Sequence, residues 1–505
     1  MFFKATGKKV LFIAFIFFFV LNIKNYAYSA AKPHEDWTDG PPPSVIENNQ
    51  NIDKNIYKDL IVSNYFLDGV ASGDPTQNSV IIWTRINDEN TDKVEVGYEI
   101  SKDKEFTKIV MSDDVITDKT KDHTIKLDIT TLKQDTEYFY RFKYKNEYSE
   151  IGRTKTLPRD PKRFRVAFVS CQNFGAGYFN SYKNILEDNP DVVVMLGDNI
   201  YEHAKYKVRK DDTGYAKDLE GFRKKYKTYF TDKAFKEARK NLPFMHIWDD
   251  HEVENDYNGI DFFNKKPQLI KDAYQAYFEY IPVRVVNGTK IYRNYNIGNL
   301  VELHLIDGRQ YRKQAPCPSF APLNIDCTLK SFNEDNTYLG LEQKQWLKNS
   351  LLNTPAKWKV IANNTMMMEA HLFETIVNYD EWDGFMKEKQ ELLEFIYKND
   401  IKNTLVFTGD LHMFIQGQLK YKDKKIGEEF VTTSITSPIP SFVSNLKPIS
   451  SLIIKNLNYF EPAYKGYILA DFSSTRSVVS FYAVNSVSEY NYDRKLLKKF
   501  EINKF

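Results

Sequence analysis

The chain has 505 residues, 42% hydrophobic, 15% aromatic and 27% charged, with a formal charge of +2. That composition belongs to a folded globular protein and excludes collagen-like and intrinsically disordered chains; at roughly 150 residues per domain there is room for two or three domains and a substantial core. Residues 1–29 carry four lysines and no acid, so their removal turns the charge to −2 and leaves no basic balance for a sequence-specific DNA or RNA partner.

At the N-terminus Lys4, Lys8 and Lys9 precede an apolar run, 10–23, and the small residues Ala27, Ser29 and Ala31. This is the layout of a secretory signal peptide over residues 1–29. The run is shorter than the roughly 20 apolar residues that span a bilayer, so no integral membrane span is expected in the mature form. No Arg-Arg pair precedes the run, so a Sec-like route to a secreted or periplasmic location is expected rather than a twin-arginine one. Residues 30–65, with Pro41-Pro42-Pro43, form a lead-in segment.

Residues 66–157 alternate with strand period: Val94, Val96, Tyr98 and Ile100 share a face, as do Ile125, Leu127 and Ile129, then Tyr138, Tyr140, Phe142 and Tyr144. Short strands between Gly, Asp and Asn turns predict a small fibronectin-like or immunoglobulin-like β-sandwich, with Leu132 to Tyr140 as its tyrosine-corner strand. Leu157-Pro158-Arg159-Asp160-Pro161 breaks the pattern and reads as a linker. Over 162–505 short apolar runs at 166–169, 192–196, 244–248, 303–306, 360–362 and 405–407 alternate with helical stretches at 178–187, 222–239, 342–352 and 387–397. That alternation predicts an α/β domain whose strands are buried on both faces.

What ends those runs is the informative feature. Ser170-Cys171-Gln172 ends the first, Gly197-Asp198-Asn199-Ile200-Tyr201 the second and Asp249-Asp250-His251-Glu252 the third. Asp307-Gly308-Arg309, Asn363-Asn364 and Gly409-Asp410-Leu411-His412 end the others. A single Gly-Asp after a strand is usually turn and capping chemistry. Six such tips are another matter, because the carboxyl ends of strands in open α/β sheets line one crevice. Asp and Asn oxygens suit hard cations such as Ca²⁺, Mg²⁺ or Mn²⁺, whereas the thiol of Cys171 and the phenol of Tyr201 suit a more charged, redox-capable ion such as iron. The other two cysteines, Cys317 and Cys327, flank a short Pro-containing loop and are expected to close a small disulfide ring.

These segments resemble the PhoD-type alkaline phosphatases/phosphodiesterases of the calcineurin-like metallophosphoesterase superfamily. The match is carried by Asp68-Gly-Val-Ala-Ser-Gly-Asp-Pro75, Ser170-Cys171-Gln172, Gly197-Asp-Asn-Ile-Tyr-Glu202 and Ile247-Trp-Asp-Asp-His-Glu-Val253 with Asn255-Asp-Tyr257. It continues through Ile306-Asp-Gly-Arg-Gln-Tyr-Arg312, Leu339-Gly-Leu-Glu-Gln343 and Thr408-Gly-Asp-Leu-His412. The resemblance implies a fibronectin-like domain before a metallophosphatase α/β/β/α core, Fe³⁺ with Ca²⁺ in the site, and activity on phosphate monoesters and diesters, either small molecules or lipids. By motif, Cys171 and Tyr201 would hold iron, Asp198 would bridge to calcium, and Asp250, Asp410 and His412 would complete the coordination. His251 would face the substrate, with Asn255 and Arg309 supporting the phosphate. Asn199 departs from the family, which carries an aromatic residue there.

The implied reaction is direct in-line attack on phosphorus by a metal-bound water or hydroxide. A purple-acid-phosphatase-like enzyme would share the Gly-Asp-x-x-Tyr motif but needs Gly-Asn-His and Gly-His-x-His segments, which are missing. A non-catalytic surface binding protein would show broken strand-end ligands.

Overall fold

The structure, a computed structural model, describes residues 63–504 apart from 334 and 373. The expected signal peptide and nearly all of the lead-in segment lie outside the described residues.

The N-terminal part supplies eight strands: β1 (Val70–Gly73), β2 (Val80–Arg85), β3 (Lys93–Ser101), β4 (Ile109–Asp118), β5 (Thr124–Ile129), β6 (Glu137–Tyr144), β7 (Glu147–Tyr148) and β8 (Gly152–Lys155). One sheet runs β4-β3-β6-β7 with β8 on β6, and β1-β2-β5 form the other. Val94, Val96, Ile100, Tyr140 and Phe142 from the first meet Ile82, Ile125 and Ile129 from the second. Every other residue of β6 is buried, as a two-residue side-chain period demands. The tyrosine corner is formed: the Tyr138 hydroxyl accepts a hydrogen bond from the Lys133 amide at 2.9 Å.

The remaining chain forms β9 (Arg163–Val169), β10 (Val192–Leu196), β11 (Pro243–Ile247), β12 (Arg293–Ile297), β13 (Val301–Leu305), β14 (Trp358–Ala362), the short pair β15 (His371–Leu372) and β16 (Thr375–Ile376), β17 (Thr404–Thr408), β18 (Phe414–Tyr421), β19 (Lys424–Val431), β20 (Leu457–Glu461), β21 (Gly466–Ser473), β22 (Arg476–Val484) and β23 (Arg494–Asn503). Two large sheets result, ordered β23-β22-β21-β9-β10-β11-β1-β2-β5 and β12-β13-β14-β17-β19-β18-β20. They pack face to face, with Phe168 stacked on Phe407 at 3.9 Å and Phe414 on Phe481 at 4.9 Å. In the second sheet Val360, Ala362, Leu405 and Phe407 point into this interface, while Ile361, Val406 and Ile415 point outward to the helices Gly340–Asn353 and Met386–Lys398. Helices Ser181–Asp188, Leu219–Tyr229 and Lys233–Asn241 cover the outer face of the first. The architecture is the expected α/β/β/α sandwich. Each fully buried Val, Leu, Ile or Phe in these layers contributes about 1.5–3 kcal/mol, which is why the strands read as unbroken apolar runs.

Two details differ from what the sequence suggests. Strand β1 pairs in parallel with β11, so the β1-β2-β5 sheet of the N-terminal sandwich is continuous with the large sheet; Arg293 to Asp74 at 2.6 Å and Arg284 to Asp128 at 2.8 Å fasten the same junction. The helical stretch expected over 222–239 is two helices, because Asp232 caps the second by accepting from the Phe235 amide at 3.0 Å. Cys317 and Cys327 form the expected disulfide, with 5.8 Å between their Cα atoms, and Cys171 is free and buried. Among the described residues no helix is long and apolar enough to cross a membrane.

Candidate metal centre

Parallel pairing of β9, β10 and β11, and of β13, β14 and β17, puts their carboxyl ends on one side, where the two sheets meet. The chain must turn sharply there, and it does so with unusual backbone. Cys171, Asp198, Asp410 and His412 all have left-handed φ, at 58°, 54°, 59° and 58°. A non-glycine residue in that region costs of order 1–3 kcal/mol, and such strain concentrates at functional sites. Gly197, at φ 113°, gives β10 room to pass the next tip, since a Cβ there would strike Asp249. Glu252 ties those tips together: its carboxylate accepts from the amides of Asp198 at 3.1 Å, Asp249 at 2.7 Å and Asn199.

One pole of the cluster is built from mixed donors. Cys171, Asp198 and His412 each place a ligand atom within 4.8 Å of the others. The Tyr201 hydroxyl donates to Asp198 Oδ2 at 2.8 Å and lies 3.2 Å from His412 Nε2 and 2.7 Å from Ser437 Oγ. His412 Nδ1 faces the Pro438 carbonyl at 2.8 Å, which fixes the proton on Nδ1 and leaves the Nε2 lone pair for the cluster. Burial, then Asp198, pushes the Cys171 thiol and the Tyr201 phenol well up, and burial pushes the His412 imidazole down to about 3. Neutral imidazole is the form that ligates; thiolate and phenolate form here only beside a cation.

The other pole is carboxylate. Asp249, Asp250 and Asp410 form a second group within 4.8 Å, and Asp250 joins Asp198 and His251 in a third. Arg309 is fully buried among them, ion-paired to Asp249, to Asp380 at 2.8 Å and to Asp250 at 3.8 Å. Although burial favours the neutral acid, Arg309 and His251 hold Asp250 below the usual range. Burial raises Asp249 to about 6 despite Arg309, and burial with Asp249 raises Asp410 to about 8. Asp249 Oδ2 is buried without a hydrogen-bond partner among the described residues. Crowded oxygen donors, an orphaned carboxylate oxygen and acids pushed toward neutrality fit a hard divalent cation, and the first pole fits a softer, more charged one.

The family described as PhoD-like phosphatase matches residues 166–481. The chain belongs to the PhoD-like phosphatase family. The description "PhoD-like phosphatase, N-terminal domain" matches residues 56–158. Alkaline phosphatase D of Bacillus subtilis (strain 168) is 34% identical over 408 residues, 73% of this chain and 69% of that protein. A solved structure described as "Structure of PhoD" superposes with a TM-score of 0.81 at 29% identity, covering 87% of this chain and 91% of that one.

Within this PhoD-like phosphatase the six expected ligands, Cys171, Asp198, Tyr201, Asp250, Asp410 and His412, converge as described. His251 sits at the junction of the poles, its Nδ1 2.7 Å from Glu202 Oε2 and its ring 4.1 Å from that of Tyr201. Arg309, expected to support the phosphate, has its guanidinium ion-paired to Asp249, Asp380 and Asp250. Asn255 is exposed on the loop beyond Asp250. Asn199, the departure from the family, is buried and meets His246 Nδ1 at 2.7 Å and Glu252 at 3.1 Å. Reasoning from strand tips assigned no role to Asp249, Glu252, Glu202 or the Asp380-Glu381 pair. The last two lie in the dense acidic run Asp380-Glu381-Trp382-Asp383, a signal visible in the sequence although no strand leads into it.

Proposed function

We propose that this protein is an exported, metal-dependent hydrolase of phosphate monoesters and diesters, and that the convergence of Cys171, Asp198, Tyr201 and His412 beside Asp249, Asp250 and Asp410 is the observation that carries the reading. Cys171, Tyr201 and His412 would hold Fe³⁺, Asp198 would bridge, and Asp250 and Asp410 with Asp249 would hold Ca²⁺, or Mg²⁺ or Mn²⁺ in its place. When bound, such cations offset charge on the phosphate oxygens and make water acidic enough to serve as the nucleophile.

The chain's own residues do the rest. Ser170 is buried at the foot of the Cys171 tip, so no covalent seryl intermediate is needed and the reaction is direct hydrolysis. His251 is the proton donor to the leaving oxygen: burial opposes its charged form, but Glu202, Asp250 and Asp198 outweigh burial and raise it well above the ordinary imidazole value. Such a donor contributes about 10²–10⁴-fold. Glu202 holds the ring by its Nδ1 and leaves Nε2 for the substrate. Arg309 is a positioning residue that keeps Asp249, Asp250 and Asp380 together. Export rests on the basic, apolar and small-residue layout of residues 1–29. The test is element-resolved metal content on the purified protein, paired with rates on one monoester and one diester. Iron and calcium in stoichiometric amounts with turnover of both esters is the expected result; a metal-free protein that turns over either ester at full rate overturns the reading.

A further inference from the structure

The catalytic reading uses Glu202 and His251 and leaves their neighbour His203 without a task. His203 follows them out of the β10 turn, its residue is only 7% exposed, and its Nδ1 has no hydrogen-bond partner among the described residues. An unmet buried nitrogen costs roughly 1–3 kcal/mol. Its ring stands edge-on to His251 with 5.4 Å between centroids. A carboxylate oxygen of Glu202 and one ring nitrogen from each histidine lie within 4.8 Å of one another, and all three residues are buried.

We propose that Glu202, His203 and His251 form a site for a borderline divalent cation, Zn²⁺, in which Glu202 and His203 belong to neither pole already described and His251 stands between this site and Asp198 and Asp250. Two imidazoles and one carboxylate are the donor set of a three-ligand zinc site, whose fourth position takes water. Ca²⁺ and Mg²⁺ ask for all-oxygen surroundings and discriminate against this trio. Zinc takes the His251 ring on the Nδ1 side that faces Glu202 and so acts as a switch on turnover; the switch, though not the binding, rests on the reading of His251 given above.

The experiment uses the metal-loaded enzyme in zinc-free buffer, titrated with zinc chloride. Elemental content is measured after gel filtration, and rates are followed on an alkyl phosphate ester and on a p-nitrophenyl ester. The expected result is one added zinc per chain with the other metals retained, and a fall of about a hundredfold in the alkyl-ester rate. The nitrophenyl rate should fall far less, because that leaving group departs without a proton. His203→Gln, which keeps the side chain's bulk, should raise the zinc midpoint at least about tenfold, each enzyme being normalised to its own zinc-free rate. Zinc that replaces another metal one for one, or that binds His203→Gln as tightly as the parent, overturns the site. One added zinc with an unchanged alkyl-ester rate overturns the switch and marks His251's assignment as the step that failed.

Discussion

The two poles of the metal centre are held together by different means. At the Cys171 pole three of the four donors are fixed by the main chain: Cys171, Asp198 and His412 sit in left-handed backbone, and the Pro438 carbonyl sets the tautomer of His412. At the other pole Asp410 shares that backbone, but Asp249 and Asp250 are fixed by charge, through the ion pairs of Arg309. A pole built on backbone keeps its shape whatever occupies it, whereas one built on ion pairs depends on charge balance. The first is therefore expected to lose chemistry when altered, and the second to lose stability.

The largest effect tests the residue common to both. Asp198→Asn removes the bridging carboxylate while keeping its size, and steady-state kinetics should show a loss of at least about 10³-fold in kcat with circular dichroism unchanged. Retained turnover would mean that the poles work independently. Next comes the ion-pair pole. Arg309→Met leaves Asp249 and Asp250 buried without their cation while Asp380 keeps Arg312, a change that costs about 3–5 kcal/mol and should appear in a denaturant melt. Were Arg309 a phosphate clamp instead, the melt would hardly move and KM would rise.

Stripping the metals sharpens the contrast through pH. In the metal-free chain Asp410 titrates near 8 instead of its ordinary 3.8, and Asp249 near 6. Burial raises both, so between those limits the folded chain holds protons that the unfolded chain has released. Stability is then full below the unfolded value and falls as pH rises through the folded one. The chelator-treated protein should melt at a lower temperature at pH 8 than at pH 5, and the metal-loaded protein should show a much smaller fall. Equal falls in both forms would mean that the carboxylate pole does not bind the metal.

Much of this was legible in the chain. Apolar runs ending in Asp, Cys, Tyr, Asn and His give both the strands and the liganding tips, because one crevice collects strand ends whatever their separation in sequence. Tyr138 announces its corner by lying five residues beyond the amide it meets. What was not legible depends on contacts that no local pattern encodes. The Glu252 carboxylate gathers amides from two strand tips, and Arg309 turns inward because Asp380, 71 residues on, folds over it. The pairing of β1 with β11 joins two parts that the Pro-rich break at 157–161 separates in sequence, since sheet edges are chosen by tertiary packing rather than by a linker's composition.

The smallest expected effect concerns Asn255, the one assigned residue that belongs to neither pole. Its motif neighbours Asp250 and Asp256 are joined, the Asp256 amide donating to Asp250 Oδ2 at 2.6 Å, but Asn255 between them is exposed. A side chain that contacts neither a ligand nor a buried group contributes little to stability, typically within about 0.5 kcal/mol. Asn255→Ala should therefore change kcat and KM by less than about threefold on a small monoester. A tenfold loss confined to KM for a bulkier diester would instead make the loop after Asp250 part of the substrate site, closing over the ester from the carboxylate side.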